Sequence, residues 1–254
     1  MSELAVTREG GVLTLTLDRP ERLNALSAAL ADSLAERLEE CATYDDVRVV
    51  VLRGAGRAFC SGADIRGQEG SFDSRTMDRA NRIIRAITHL DRPVVAAVHG
   101  PAAGLGCSLA LACDLVVAAE SASFLLAFAR IGLMPDGGAT ATVAAAVGRA
   151  RAMRMALLAE PLTGREAHDA GLVSHVAADD EFEAVVSDVV RRLVGSAPLA
   201  AAATKRAVNA AAYAGLDDAL EREHVSQTAL LATADAAEGM RAFEERRPPD
   251  YTGQ

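Results

Sequence analysis

One carboxylate stands out in residues 132–140, GLMPDGGAT, where Asp136 lies between a proline and two glycines. Pro-Asp-Gly is typical of a tight turn, because proline presets φ, aspartate bonds to nearby amides and glycine tolerates a positive φ. Asp136 can then cap a helix that begins near Gly137, which would lower its pKa. Alternatively, it is a base held on the turn at an apolar pocket, where desolvation would raise its pKa.

Two glycine-containing segments precede this turn, residues 56–67 (GRAFCSGADIRG) and residues 99–114 (HGPAAGLGCSLALACD). Each is predicted to end a buried strand and begin a helix. A helix N-terminus presents unpaired N–H groups, so two such termini that face one another can hold one oxyanion from both sides. Neither pattern is a dinucleotide fingerprint or a phosphate-binding loop.

The elements that must position these segments follow from periodicity. Apolar and polar residues alternate over 12–20, which predicts a half-buried strand that ends at Pro20. Residues 27–43 are predicted to form a helix with one stripe of leucines. Fully buried strands are predicted from Val47, Pro93 and Asp114, and strands separated by helices imply a parallel sheet with helices packed outside it. After about Asp179 only helical patterns remain, over 181–198, 199–215, 216–233 and 236–246, which suggests a surface for self-association.

Composition and residue spacing argue against several classes of function. The net charge of −9 argues against nucleic acid as the main partner. The uncharged stretch 94–113 is broken by glycine and proline, so a buried strand and helix are expected rather than a membrane span. The N-terminus has no signal pattern, and a cytoplasmic location is the expectation. Cysteine and histidine spacings predict buried thiols and no metal site, with His99 a structural residue at a strand end.

The chain resembles the enoyl-CoA hydratase/isomerase, or crotonase, family over essentially its whole length. The resemblance is carried by RPERLNALS (19–27), AFCSGADI (58–65), VAAVHGPAAGLGCSLALACD (95–114), FARIGLMPDGGAT (128–140) and EGMRAFEERRPPDYTG near the end. It implies an α/β fold, a crotonase-like ββα spiral over 1–195 with a C-terminal helical trimerisation segment over 196–254. It also implies a homotrimer or homohexamer.

The resemblance places the oxyanion donors at the backbone N–H groups of Ala63 and Leu105, where leucine stands in place of the more usual glycine and narrows the available backbone angles. The two glutamates of the family's hydratases fall at Ser108 and Phe128, so a two-glutamate hydratase is disfavoured. The PD-x-G pattern resembles the isomerase branch that includes phenylacetate-pathway 1,2-epoxyphenylacetyl-CoA isomerases, which implies that Asp136 is the single acid/base. Weak or specialised hydration and non-catalytic acyl-CoA binding remain alternatives.

The resemblance also implies an acyl-CoA thioester substrate and no separate cofactor, since CoA is part of the substrate. Matching positions assign CoA and acyl binding to a set of residues from both ends of the chain: Arg22, Ala25, Ser61, Ala63, Asp64, Ile65, Phe243 and Arg246. The polar stretch 67–82 is expected to be a lid that sets acyl specificity.

Overall fold

A six-stranded sheet forms the centre of the protein in a computed structural model that describes residues 2–65 and 74–254. The strands are β1 (Leu4–Glu9), β2 (Val12–Leu17), β3 (Val49–Gly54), β4 (Val94–Val98), β6 (Leu115–Ala119) and β9 (His175–Ala177), in the order β1-β2-β3-β4-β6-β9. Only β1 and β2 pair antiparallel in this sheet. The predicted parallel pairing of the buried strands is confirmed.

A second, three-stranded sheet stands next to the first. It consists of β5 (Pro101–Ala103), β7 (Ser123–Leu125) and β8 (Leu162–Thr163), in the order β5-β7-β8. Periodicity did not predict this sheet, because segments of two or three residues are too short to show an alternating pattern. This sheet helps to position the segment that follows β3, because an isolated bridge between Cys60 and Ala102 joins that segment to β5.

Nine helices surround the sheets in the described ranges: α1 (Ala28–Cys41), α2 (Ser74–His89), α3 (Leu105–Leu111), α4 (Ala139–Leu158), α5 (Gly164–Asp169), α6 (Phe182–Val194), α7 (Pro198–Ala212), α8 (Leu216–Leu231) and α9 (Ala234–Glu245). Buried leucines of α1 lie one turn apart, as predicted, at Leu30, Leu34 and Leu38. The uncharged stretch 94–113 becomes β4, β5 and α3, so the prediction of a strand and a helix is confirmed. Within the described residues, none of these helices is long and apolar enough to cross a membrane.

Residues 74–82 belong to α2, so this part of the stretch is a helix and not the expected flexible lid, although Thr76, Met77 and Ala80 do line a cavity, as expected of a pocket wall. Apolar side chains at Met77, Ala80, Ile83, Ile84 and Ile87 are buried and form one face of this helix. Their helical spacing was hidden among the many charged residues of the same stretch. The remainder of the expected lid, residues 67–73, lies outside the described residues.

The three C-terminal helices pack against the rest of the chain. Lys205 on α7 is buried, and its ammonium group donates to the carbonyl oxygens of Ile87 (2.8 Å) and Arg92 (3.1 Å) and pairs with Asp114 at 2.8 Å. Helix α8 contacts α2 and α4, and α9 contacts a 3-10 turn at Ala127–Ile131. The helical tail therefore builds part of the protein's interior, in addition to any surface it offers to another subunit.

Candidate active site

A cavity of about 230 Å³ lies where the predicted site segments converge. Its walls come from the loop after β3, the start of α3, the 3-10 turn, and helices α2, α8 and α9. The lining is mostly apolar. The lining residues that bear on the chemistry are Ser61, Ala63, Ile65, Leu105, Phe128, Arg130, Asp136, Gln227 and Phe243.

The backbone N–H groups of Ala63 and Leu105 lie at the cavity wall, and neither donates a hydrogen bond to another described backbone group. Their neighbours on the chain do have partners, since Asp64 N donates to Leu26 O at 3.0 Å and Ser108 N donates to Gly104 O at 3.2 Å. Unpaired amides at a cavity wall are the groups that can bind an oxyanion.

The two amides lie on segments that touch. A Cβ atom added to Gly62 would lie 2.9 Å from the Ala103 carbonyl oxygen and 3.3 Å from the Leu105 nitrogen, so the two turns are in close approach. Leu105 is the first residue of α3, and the positive φ of 52° at this turn belongs to Gly104. Leucine at 105 therefore needs no left-handed backbone, which removes the expected conformational restriction.

The structure corrects one part of the expected geometry. The second glycine segment begins a helix, α3, as predicted, but no helix begins in the described part of the first segment, residues 56–65. Ala63 instead pairs with Leu26 in an isolated bridge. Its N–H is left unpaired by the turn itself, because the bridge uses the Leu26 and Asp64 N–H groups.

The backbone around Asp136 is fixed against α3. Ser108 is fully buried, and its hydroxyl donates to the Asp136 carbonyl oxygen at 2.7 Å. Gly137 has a φ of 64°, and an added Cβ would lie 2.7 Å from Leu105 Cδ1 and 2.9 Å from Ser108 Cβ. The PDGG turn thus packs directly on the helix that carries the Leu105 amide.

The Asp136 side chain is buried at the cavity wall, with only 7% of the residue exposed. Its Oδ2 accepts a hydrogen bond from Gln227 Nε2 at 2.9 Å. Its Oδ1 has no hydrogen-bond partner in the described chain. Burial raises the pKa of Asp136 to about 7, the Gln227 hydrogen bond opposes this rise, and the charge of Glu223 adds to it.

Glu223, not Asp136, caps helix α4. Its carboxylate reaches from α8 and accepts hydrogen bonds from Gly138 N at 2.7 Å and from Thr140 N at 2.9 Å. These are among the N–H groups that a helix start leaves unpaired. The capping interpretation of Asp136 is therefore wrong, since no side chain of the turn itself caps this helix.

The remaining predicted site residues separate into two groups. Ser61 and Ile65 line the cavity, and Phe243, which is 55% exposed, does so from α9. Ala25 and Asp64 do not line it. The Ala25 carbonyl accepts from Arg19 at 2.6 Å, and the Asp64 carboxylate pairs with Arg19 at 2.8 Å.

Arg22 and Arg246 are exposed residues outside the cavity wall. Arg22 ends a 3-10 turn, Pro20–Arg22, and its carbonyl oxygen accepts from Ser61 Oγ at 3.3 Å, which places the Arg22 backbone beside a residue of the cavity wall. Arg246 follows α9 with a left-handed φ of 56°. Neither guanidinium has an ion-pair partner among the described residues.

Sequence reasoning missed Gln227, Glu223 and Arg130. The first two lie about 90 residues after the turn that they contact, and a buried polar residue in a helix gives no pattern that a single sequence reveals. Arg130 stands inside the quoted FARIG motif, yet nothing marked it as a cavity residue. Its guanidinium donates to the Ala159 carbonyl oxygen at 2.7 Å.

Comparisons with known proteins identify the family of the chain. The family model described as enoyl-CoA hydratase/isomerase matches residues 7–254. An Escherichia coli protein named 1,2-epoxyphenylacetyl-CoA isomerase is 38% identical over 253 residues, covering 97% of each chain. A Rhodobacter capsulatus protein named probable enoyl-CoA hydratase is 42% identical, covering 96% of this chain and 95% of its own.

A solved structure described as an enoyl-CoA hydratase from Mycobacterium avium subsp. paratuberculosis superposes with a TM-score of 0.95. It is 50% identical and covers 99% of both chains. The expected α/β crotonase fold is thus confirmed. The cavity, with its paired amides and one buried carboxylate, lies in a chain that belongs to the enoyl-CoA hydratase/isomerase (crotonase) family of acyl-CoA enzymes.

Proposed function

We propose that the protein is an enoyl-CoA isomerase that shifts a double bond, or isomerises an epoxide-derived ring, through a thioester enolate. The observation that carries the proposal is Asp136. It is the one carboxylate among the described residues that line the cavity, and one of its oxygens has no partner. A 1,3-proton shift needs one acid/base and a means of stabilising negative charge on the thioester oxygen.

In the proposed reaction, the thioester carbonyl oxygen accepts hydrogen bonds from the N–H groups of Ala63 and Leu105. Asp136 takes the proton from Cα, and the electron pair of the broken C–H bond delocalises onto that oxygen as an enolate. The neutral carboxylic acid then returns the same proton at Cγ, and the double bond comes into conjugation with the thioester. No metal or redox cofactor enters this proposal, because CoA arrives as part of the substrate.

A pKa of about 7 suits a group that must do both jobs. A general acid/base works best when its pKa lies near the operating pH, because both protonation states are then accessible. An aspartate with an ordinary pKa would be a weak base and would take the proton from Cα reluctantly. The apolar cavity that raises the pKa of Asp136 also favours an apolar acyl group.

Hydration is the second candidate, and the names of the relatives favour it, since they include both hydratases and isomerases. Syn addition of water needs one group to deprotonate water and another to protonate Cα. Ser108 is fully buried, its hydroxyl is engaged with the Asp136 carbonyl, and it does not line the cavity. Phe128 lines the cavity, but its side chain has no titratable group and cannot act as an acid or a base. The described part of the site therefore supports the isomerase better.

Incubation with 3-enoyl-CoA and with 2-enoyl-CoA tests the proposal. We expect conjugation of the first and little hydration of the second, as followed by the thioester ultraviolet absorbance. In Asp136→Asn, isomerisation should fall by ~10²-fold or more, the usual scale for a positioned acid/base. Binding of the CoA ester should persist, because the amides and the arginines are unchanged.

Each of the other outcomes has a clear meaning. Efficient hydration of 2-enoyl-CoA without isomerisation would establish a hydratase. Binding of both esters without turnover would establish a non-catalytic acyl-CoA-binding subunit. Full isomerase activity in a normally folded Asp136→Asn variant would remove Asp136 from the mechanism.

A further inference from the structure

Two buried polar side chains of helix α8, Glu223 and Gln227, lie four residues apart and so share one face of the helix. We infer that Gln227 is a positioning residue that binds Asp136 Oδ2 and thereby reserves Oδ1 for the substrate proton. This inference rests on the proposed function for its catalytic meaning. Its structural content can be tested without turnover.

The orientation of the Gln227 amide is fixed by its other contacts. Its Oε1 accepts from Met134 N at 3.1 Å, and its Nε2 donates to Met134 O at 2.9 Å. A flipped amide would place oxygen against oxygen and N–H against N–H, so both bonds would be lost. The Nε2 group must therefore be the one that faces Asp136, and it donates to Oδ2.

This contact decides which carboxylate oxygen carries the proton. Oδ2 must act as an acceptor toward Nε2–H in both protonation states. When Asp136 is neutral, its proton therefore resides on Oδ1, the oxygen that has no partner in the described chain. An aspartate held by one oxygen in this way can take and return a proton at the other without rotating.

Within the described ranges, few charged groups lie around Asp136. The cavity walls from α2, α3 and α9 contribute only uncharged side chains: Thr76, Met77, Ala80, Leu105 and Phe243. The 3-10 turn contributes Arg130, and α8 contributes Glu223. Gln227 stabilises the carboxylate form by donating an N–H, whereas Glu223 destabilises it by like charge. One helix thus carries two opposing controls on the same base.

The experiment compares three single substitutions on α8. Gln227→Met keeps the length of the side chain but removes all three hydrogen bonds. Glu223→Gln removes the negative charge but keeps an oxygen for the start of α4. Glu221→Gln makes the same chemical change at an exposed position of α8 and serves as the matched control.

The readout is the titration of the Asp136 carboxyl carbon, observed by NMR in protein labelled with ¹³C-carboxyl aspartate. Its signal is assigned by its disappearance in Asp136→Asn. We expect the midpoint to rise by about one pH unit in Gln227→Met, since a hydrogen bond to a charged group is worth at least that much. It should fall in Glu223→Gln and stay unchanged in Glu221→Gln.

The pH profile of isomerisation should move in parallel. In Gln227→Met, kcat/KM at pH 6 should fall about tenfold, with most of the loss recovered at pH 9 and little change in KM. A structural role alone would lower activity equally at all pH values. If Gln227→Met does not fold, Gln227→Glu is the second variant. It matches the size of glutamine, brings a like charge to Asp136, and should raise the midpoint as well.

An unchanged titration midpoint in folded Gln227→Met or Gln227→Glu would overturn the inference. A midpoint shift in a protein that turns over neither enoyl-CoA would leave the inference standing and reject the proposed function. If the protein is an isomerase whose pH profile is the same in the native protein, Gln227→Met and Glu223→Gln, the proposed function would stand and the inference about Gln227 would be rejected.

Discussion

The stability of the folded protein should fall as Asp136 ionises. Burial raises the pKa of this group from 3.8 to about 7. Because the unfolded chain ionises near the ordinary value, the folded state binds more protons between these two pH values. The stability contribution of neutral Asp136 is therefore complete below about pH 4, and it is lost as the pH rises through about 7.

The size of the effect follows from the same two pKa values. One pKa unit corresponds to about 1.4 kcal/mol, so full ionisation of Asp136 should cost about 4 kcal/mol of unfolding free energy. Asp136→Asn removes this cost, because asparagine stays neutral while its carbonyl oxygen still accepts from Gln227. We expect the variant to match the native protein in stability near pH 4 and to exceed it by about 2 to 4 kcal/mol above pH 8.

Urea denaturation at one protein concentration, repeated from about pH 4 to about pH 9, measures this difference. A fixed concentration is needed because any self-association would contribute to apparent stability. Asp180→Asn makes the same substitution at an exposed carboxylate and reports the effect of the change away from the cavity. A stability difference between Asp136→Asn and the native protein that is the same at all pH values would refute the raised pKa, and with it the argument that Asp136 is poised as a base.

Three further predictions concern the ligand, the interior and the assembly. Arg22→Ala and Arg246→Ala should each raise KM with little change in kcat, because a phosphate contact is equally strong in the ground and transition states; an unchanged KM in steady-state assays of both would reject the assignment. Lys205→Met should lower the unfolding free energy by about 3 to 5 kcal/mol in urea titrations, because it leaves Asp114 buried and unpaired, and adding Asp114→Asn should restore part of the loss. The protein should be a trimer or hexamer by light scattering at micromolar concentration, and a monomer would contradict the role proposed for the segment 196–254.

Much of the main sheet could be predicted from the sequence, because its strands carry strong local signals. β3, β4 and β6 are runs of valine, leucine and alanine that are buried on both faces, and such runs are typical of parallel strands. The edge strand β1 was missed, since only its first residue is buried and its pattern follows neither period. The second sheet was missed because its strands are held by pairing partners distant in the chain.

The features of the site likewise differ in whether they depend on local residue patterns or on contacts between distant parts of the chain. Ala63, Leu105 and Asp136 lie in glycine-containing segments that local residue patterns mark as turns, and the resemblance to the family singled out Ala63 and Leu105 within them. The state of Asp136, however, depends on Gln227 and Glu223, and these contacts exist only because α8 packs across the turn. The sequence favoured catalysis over capping for Asp136 but left capping open, because the residue that satisfies the N–H groups at the start of α4 lies 85 positions further along the chain. Once Glu223 takes that role, the Asp136 carboxylate has no structural N–H group of the turn left to bind. Its burial then costs stability without a structural return, which is the pattern expected of a residue retained for chemistry.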